Sequence, residues 1–202
     1  SLTYRMATQH PSPQQGERVD PNNILWWRFD MRRLEAEEVR DSILYVSGML
    51  DETMGGKTIP LRNRQFVFNH TSRDHTGYSQ RMRRAVYLPI VRNHLCDIFQ
   101  QFDYPDPATP TGNRSTTTVA PQALLLMNSQ LVLNAAHALA TQLDKTEAGV
   151  NSRIMIAHQK VFARNPDESE LARAKRFLNQ FEGNQQEGWA LYCQALLASN
   201  EF

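Results

Sequence analysis

The feature that most constrains this chain is the helical periodicity of its C-terminal part. Apolar residues recur there every three or four positions, the spacing that gathers them on one face of an α-helix. The helices predicted from this pattern are 119–128, 129–143, 150–163, 168–182 and 187–199. Capping residues support two of these starts: Ser129 opens one helix, and Asp167 with Glu170 has the spacing of a capping box. This part of the chain is therefore predicted to be a set of packed helices.

The N-terminal part is less regular, with one clear helix. Leu34–Leu50 carries an apolar stripe and acidic residues in its first turn, and Gly48 offers the left-handed conformation that ends a helix. A short amphipathic helix is predicted over 95–102, and two segments, Phe66–Phe68 and Ala85–Val91, favour strands. The predicted fold class is mainly α: a single helical domain of about seven helices with a minor two-stranded β element.

The domain organisation follows from where turn residues and apolar residues concentrate. Residues 1–20 are rich in turn-forming residues and predict a surface lead-in. Residues 21–202 are expected to form the single helical domain, with sub-lobes at 21–118 and 119–202. A chain of this length is long enough for one substantial core.

An unusual apolar load lies at the start of the predicted domain. The run Ile24-Leu25-Trp26-Trp27, with Phe29 close behind, predicts an anchor laid on the core. Adjacent side chains cannot face the same side of one helix, so one of the two tryptophans is expected to meet a neighbouring domain. Trp26 and Trp27 are therefore candidate interface residues.

Charge and cysteine content exclude several classes of protein. The 22 basic and 21 acidic residues leave a net charge of +1, which argues against a general nucleic-acid binder. No apolar run approaches the roughly 20 residues that a membrane-spanning helix needs. Cys96 and Cys193 are far apart in the sequence and are predicted to be buried free thiols.

Arginines are concentrated on both sides of the predicted 95–102 helix. Arginine is a permanently charged fork that binds carboxylates and other anions through two hydrogen bonds. Two interpretations remain open: an internal network with Asp103 or Asp106, or a pocket for an anion or an acidic sugar. The candidate pocket residues are Arg83, Arg84, Arg92, Arg114, Thr117 and Gln122. Thr117 and Gln122 belong to a hydroxyl-rich helix start, whose backbone N–H groups can cap the helix or hold an anion.

Sequence motifs for catalysis and cofactors are missing. The six histidines show no closely spaced zinc-binding pair, and neither cysteine has a histidine placed by a known nucleophile signature. Phosphate-binding glycine motifs and the Cys-x-x-Cys-His haem motif are also absent. No catalytic residue, metal or cofactor is expected in this chain, and an enzymatic role is not favoured.

Several motifs, taken in order, resemble one family. They are Trp27-Arg28, Arg32–Glu37, Arg40-Asp41, Ser47-Gly48, Met54–Gly56, Arg83–Pro89, Arg92-Asn93, Phe102-Asp103, Asp106-Pro107, Gly112–Leu124, Asn128-Ser129, Gln194–Leu197 and Asn200–Phe202. From about residue 20 to the end, the chain resembles a planctomycete-specific C-terminal domain of unknown function. Proteins that carry this domain often have a planctomycete-type cytochrome c domain upstream. The resemblance implies a mainly helical domain of an exported or periplasmic bacterial protein, and it implies no activity.

Two functions are carried forward from these observations. The first is a non-catalytic module that docks to other domains of its parent protein, to another protein or to an acidic carbohydrate. The alternative is an arginine-lined subsite that completes a carbohydrate-active or hydrolytic site formed with an upstream domain.

Overall fold

A computed structural model describes residues 13–27, 33–56, 81–90, 95–115, 117–146 and 149–202. The chain divides into two compact units, Ser1–Leu34 and Glu35–Phe202. The described residues contain eight α-helices and no strand, so the predicted mainly α class is confirmed. The predicted division into a lead-in and a single helical domain stays a prediction.

The first unit contains a helix that the sequence did not predict. Helix α1 spans Pro13–Val19, inside the segment that was expected to be an irregular lead-in. The indole of Trp27 lies so close to Gly16 that a Cβ on this residue would overlap the ring. Pro21 lies in the turn that follows α1. The aromatic contact comes from eleven positions downstream, beyond the reach of a local pattern.

The second unit begins with the helix that the sequence indicated most clearly. Helix α2 spans Ala36–Val46, shorter at both ends than the predicted Leu34–Leu50. The Glu38 carboxylate accepts a hydrogen bond of 2.9 Å from the backbone N–H of Glu35 at the helix start. Gly48 has a φ of 68°, so it adopts the left-handed conformation expected of a helix-ending glycine.

The predicted minor β element is not seen in the described residues. Phe66–Phe68 lies outside them. Ala85–Tyr87, the start of the second candidate strand, is a single 3-10 turn, and the described β pairing is one isolated bridge between Asp51 and Arg83. The backbone N–H groups of Tyr87 and Leu88 bond to carbonyls three residues earlier, which satisfies them locally instead of in a ladder.

Five helices follow a short helix α3 at Asp97–Gln101 and form the main packed body of this unit. They are α4 Ala120–Asn128, α5 Gln130–Asp144, α6 Val150–Phe162, α7 Glu168–Gln180 and α8 Gln185–Leu197. The bounds agree with the predicted helices to within about two residues. Three helices start with side-chain caps, in which Ser129, Asp167 and Asn184 accept hydrogen bonds from backbone N–H groups.

Helix α8 lies at the centre of this body. It packs most extensively on α5 and also contacts α4, α6 and α7. Trp189, Leu196 and Leu197 of this helix are buried. Cys193 is a buried free thiol on the same helix, and burial raises its pKa to about 12.

Candidate functional site

Arg114 is held by glutamates at the start of α2. Its Nη1 donates to Glu35 Oε2 at 2.8 Å, and its two Nη atoms donate to both carboxylate oxygens of Glu37 at 2.7 and 2.9 Å. The guanidinium also lies 5.4 Å from the ring centre of Tyr104. The hydrogen bonds to Glu37 raise the pKa of Arg114. The predicted partners, Asp103 and Asp106, were wrong for this arginine.

Arg83 is buried and bonds to backbone carbonyls of a turn. Its Nη2 donates to the oxygens of Thr53 and Gly55 at 2.6 and 2.7 Å, and its guanidinium lies 4.4 Å from the ring centre of Tyr87. Its Nε is buried without a hydrogen-bond partner. A single buried N–H does not make the two-point contact that an anion takes from an arginine fork.

The candidate arginines that the structure describes do not bond to a common group, and so they do not line one cleft together. Arg83 bonds to the turn at 53–55, Arg114 bonds to the start of α2, and Arg84 is exposed. Arg92 lies outside the described residues. The geometry therefore lends no support to an arginine-lined subsite.

Thr117 and Gln122 hold the loop before α4 to the end of α3. The backbone N–H and the hydroxyl of Thr117 donate to the Asp103 carboxylate at 2.7 and 2.8 Å. Gln122 is buried, and its Nε2 donates to the carbonyls of Gln101 and Thr117 at 2.8 and 3.0 Å. Asp103 itself has a φ of 57°, so the carboxylate stands at a sharp change of chain direction. These contacts are those of loop anchoring.

An ion pair between a buried arginine and a half-buried aspartate, which sequence reasoning missed, organises the segment before α3. Arg40 is 1% exposed, and it donates to Asp41 Oδ1 at 3.1 Å, to the carbonyl of Arg83 at 2.8 Å and to the carbonyl of Arg81. The Asp41 carboxylate accepts the backbone N–H of Ala85 at 2.9 Å. Burial lowers the pKa of Arg40, an effect that the neighbouring Asp41 opposes. We refer to Arg40, Asp41 and segment 81–85 as the Arg40 clamp.

The candidate interface residues lie in a loop built around a buried aspartate. The Asp20 carboxylate accepts the backbone N–H groups of Ile24 and Leu25 at 2.9 and 2.7 Å. The indole Nε1 of Trp27 donates to the Asp20 carbonyl at 2.8 Å. Trp26 stands at the tip with 79% of its surface exposed and a φ of 56°. We call residues 20–27 the Trp26 loop.

The exposure of this loop contradicts the predicted anchor on the core and shows how the two tryptophans differ. The segment was predicted to anchor on the core, yet Ile24, Leu25 and Trp26 are all exposed. Asp20 caps the turn and directs these side chains outwards, a role that the local sequence did not indicate. The two tryptophans do separate as adjacent residues must: Trp27 packs on Gly16, and Trp26 projects into solvent.

The described residues show neither a metal-binding cluster nor a single membrane-spanning helix. Among the described ranges, no three residues of the His, Cys, Asp and Glu types are grouped so that they could hold a metal ion. His70, His75 and His94 lie outside these ranges. No single described helix is long and apolar enough to cross a membrane. Helices α4 and α5 would be long and apolar enough only if taken together, and a bend of 52° separates them.

Comparison with known proteins gives one match. A family model with the short name PSD1, described as "Protein of unknown function (DUF1553)", matches residues 1–178. This match begins before the region of resemblance noted in the sequence and leaves the motifs at 194–197 and 200–202 outside it. No curated protein and no solved structure matches the chain.

Proposed function

Because this chain belongs to the PSD1 family, whose description assigns no function, we propose its role from the geometry of its own residues. It is a non-catalytic docking module that binds another domain of its parent protein through the Trp26 loop. The observation that carries the proposal is the exposure of three consecutive apolar side chains in one turn. Ile24, Leu25 and Trp26 are each more than 70% exposed. Contiguous exposed apolar residues of this kind are typical of interaction sites.

Buried polar residues and hydrogen bonds hold the backbone of this loop in place. Asp20 and Asn23 are buried, although the residues around them are exposed. Three hydrogen bonds to Asp20 hold the backbone and the Trp27 indole in place. A preorganised loop loses less conformational freedom when it binds, so more of the contact energy is retained as affinity.

The backbone of Trp26 also favours an interaction role. A φ of 56° is rare for a bulky residue, and it costs on the order of 1–3 kcal/mol unless the surroundings enforce it. Strained residues of this kind cluster at functional sites. Tryptophan is also among the residues that contribute most to the affinity of protein interfaces.

The family resemblance of the sequence supplies the context of this proposal. We propose that the parent is a large exported or periplasmic bacterial protein of the planctomycete type, in which this module lies near the C-terminal end. The partner surface would then belong to an upstream domain, such as the cytochrome c domain of the family that the chain resembles. An apolar, weakly charged partner surface suits the side chains of the Trp26 loop.

The test measures binding between this chain and the remainder of the parent polypeptide, for example by calorimetry. We expect Trp26→Ser to weaken binding by roughly 30-fold, the effect of losing an interface residue worth about 2 kcal/mol. The thermal midpoint should stay unchanged because Trp26 is exposed. Val86→Ser is the matched control, since Val86 is 81% exposed but lies in the second unit. Equal affinity for the wild type and Trp26→Ser, or no binding by the wild type, would contradict the proposal.

A further inference from the structure

A cavity of about 320 Å³ opens between helices α6, α7 and α8 and the residues after α8. The cavity is partly open to solvent, and its volume lies at the lower end of the range of about 300–1,000 Å³ that small-molecule sites occupy. All residues that line it belong to the second unit, whereas the Trp26 loop belongs to the first.

The walls of this cavity are mainly aromatic and aliphatic. Phe162 comes from the end of α6, Phe177 from α7, and Tyr192 and Leu196 from α8. Aromatic rings on three helices form faces and edges against which a flat ring can stack. The shape and composition fit one ring system.

Two polar side chains that are buried together lie at the cavity. Tyr192 Oη and His158 Nε2 are 3.0 Å apart, and both residues are at least 90% buried. Burial lowers the pKa of His158 and raises the pKa of Tyr192, so both groups are uncharged at neutral pH. A phenolic oxygen can both donate and accept, so Tyr192 keeps one hydrogen-bonding position beyond its bond to His158.

The charges around the cavity cancel. Glu170 and Glu201 line it, and both carboxylates are held by Arg164 through four hydrogen bonds of 2.6–2.8 Å. Arg173 adds a second positive charge to the lining. Two positive and two negative groups therefore surround the site, and neither an anion nor a cation is favoured there.

The elements around the cavity are fixed without a ligand. Asp167 and Glu170 form a capping box at the start of α7, and Arg164 joins Glu170 to Glu201 after α8. Ala163 ends α6 in the left-handed conformation and turns the chain towards this junction. The cavity is therefore preformed, as small-molecule sites usually are.

We propose that this cavity binds a small, uncharged aromatic molecule that carries one hydrogen-bonding group, with its ring between Phe162 and Phe177 and its polar group at Tyr192. The ring satisfies the apolar walls, and an alcohol, phenol or indole N–H uses the remaining position on the Tyr192 hydroxyl. Charged rings are disfavoured because they lose hydration and the charged groups around the cavity sum to zero, so no net counter-charge offsets that loss.

The test measures the binding of three probes of similar size to the whole chain by ligand-observed and protein-observed NMR. Benzyl alcohol is neutral, benzoate is an anion, and benzylamine is a cation at pH 7. We expect benzyl alcohol to bind at least tenfold more tightly than the two charged probes, with shifts confined to α6, α7 and α8. Equal or tighter binding of either charged probe would overturn the proposal.

Variants locate the binding site. Phe177→Ala should weaken benzyl alcohol binding by about three- to tenfold, the size of one aromatic contact. Leu191→Ala is its matched control: Leu191 is 42% exposed and Phe177 is 40% exposed, but Leu191 does not line the cavity. Tyr192→Phe should weaken benzyl alcohol and leave toluene unchanged. Equal effects of the Phe177 and Leu191 changes would overturn the proposal.

A final experiment distinguishes a free small molecule from a side chain of another polypeptide as the occupant of the cavity. A tryptophan-containing peptide of neutral charge is titrated beside free indole. Binding of indole in the cavity, with no further gain from the peptide, supports the proposal. Binding of the peptide without binding of indole or benzyl alcohol would overturn it, because the cavity would then be a docking point for a protein.

Discussion

The two parts of the second unit are stabilised in different ways. Helices α4 to α8 are held by apolar burial, with residues such as Leu139, Ile154 and Leu197 completely enclosed. The segment around the Arg40 clamp has little regular structure, and its backbone is held by a buried guanidinium and a carboxylate. Apolar burial is non-directional and tolerates small shifts, whereas a buried arginine depends on each of its hydrogen-bonding partners being present. The comparison predicts that single substitutions in the two parts will differ in size and in their response to salt and pH.

The largest effect is expected at the Arg40 clamp. Arg40→Gln should lower the free energy of unfolding by about 3–5 kcal/mol, because Asp41 and two backbone carbonyls lose their buried partner. Urea unfolding at pH 7 measures the loss.

Arg114→Gln is the control for this change, since Arg114 also joins distant segments but does so at the surface. Its side chain is 34% exposed, and such pairs contribute up to about 1 kcal/mol. Similar losses for Arg40→Gln and Arg114→Gln would mean that burial does not distinguish the clamp from a surface pair.

A somewhat smaller effect is expected in the helical body. Leu197→Ala removes a fully buried side chain from α8 and should cost about 3 kcal/mol through lost apolar contact and a residual cavity. The loss should be the same at low and high salt, because no charge is involved. Leu191→Ala, on the exposed side of the same helix, should cost well under 1 kcal/mol. A negligible loss for Leu197→Ala would show that α8 is peripheral.

The smallest effect is expected where a charged group ties two helices of the helical body together. Arg164→Gln should cost up to about 1 kcal/mol at pH 7, because the Arg164 side chain is 39% exposed and its ion pairs are screened by solvent. The hydrogen bonds from Arg164 lower the pKa of Glu170 from 4.5 to about 2. Because the folded pKa is depressed, this stabilisation is present above pH 4.5 and is lost as the pH falls towards 2.

The pH dependence is measured as the difference in unfolding free energy between wild type and Arg164→Gln from pH 7 to pH 2. That difference should shrink below pH 4.5. Arg164→Lys keeps the charge but loses the two-pronged geometry, so it should recover part of the stability and part of the pH dependence. A difference that stays constant down to pH 2 would refute the role assigned to the Glu170 carboxylate.

The sequence by itself determined the helical body and its limits. Helices α4 to α8, the caps at Ser129 and Asp167, and the left-handed Gly48 after α2 all appeared where local patterns indicated. The reason is that helix periodicity and capping involve residues three or four positions apart. Buried free thiols at Cys96 and Cys193 could likewise be predicted from residue type and spacing.

The tertiary structure alone decided which charged and aromatic groups meet. Arg40 reaches a carbonyl 43 residues away, and Arg114 reaches Glu37 across 77 residues. Nearness in sequence suggested Asp103 and Asp106 as partners for Arg114, but long side chains pair with whichever group the packed helices bring close. The outward turn of Trp26 and the cavity beside Tyr192 have the same origin. Both depend on how separate segments pack, and local sequence patterns do not indicate that packing.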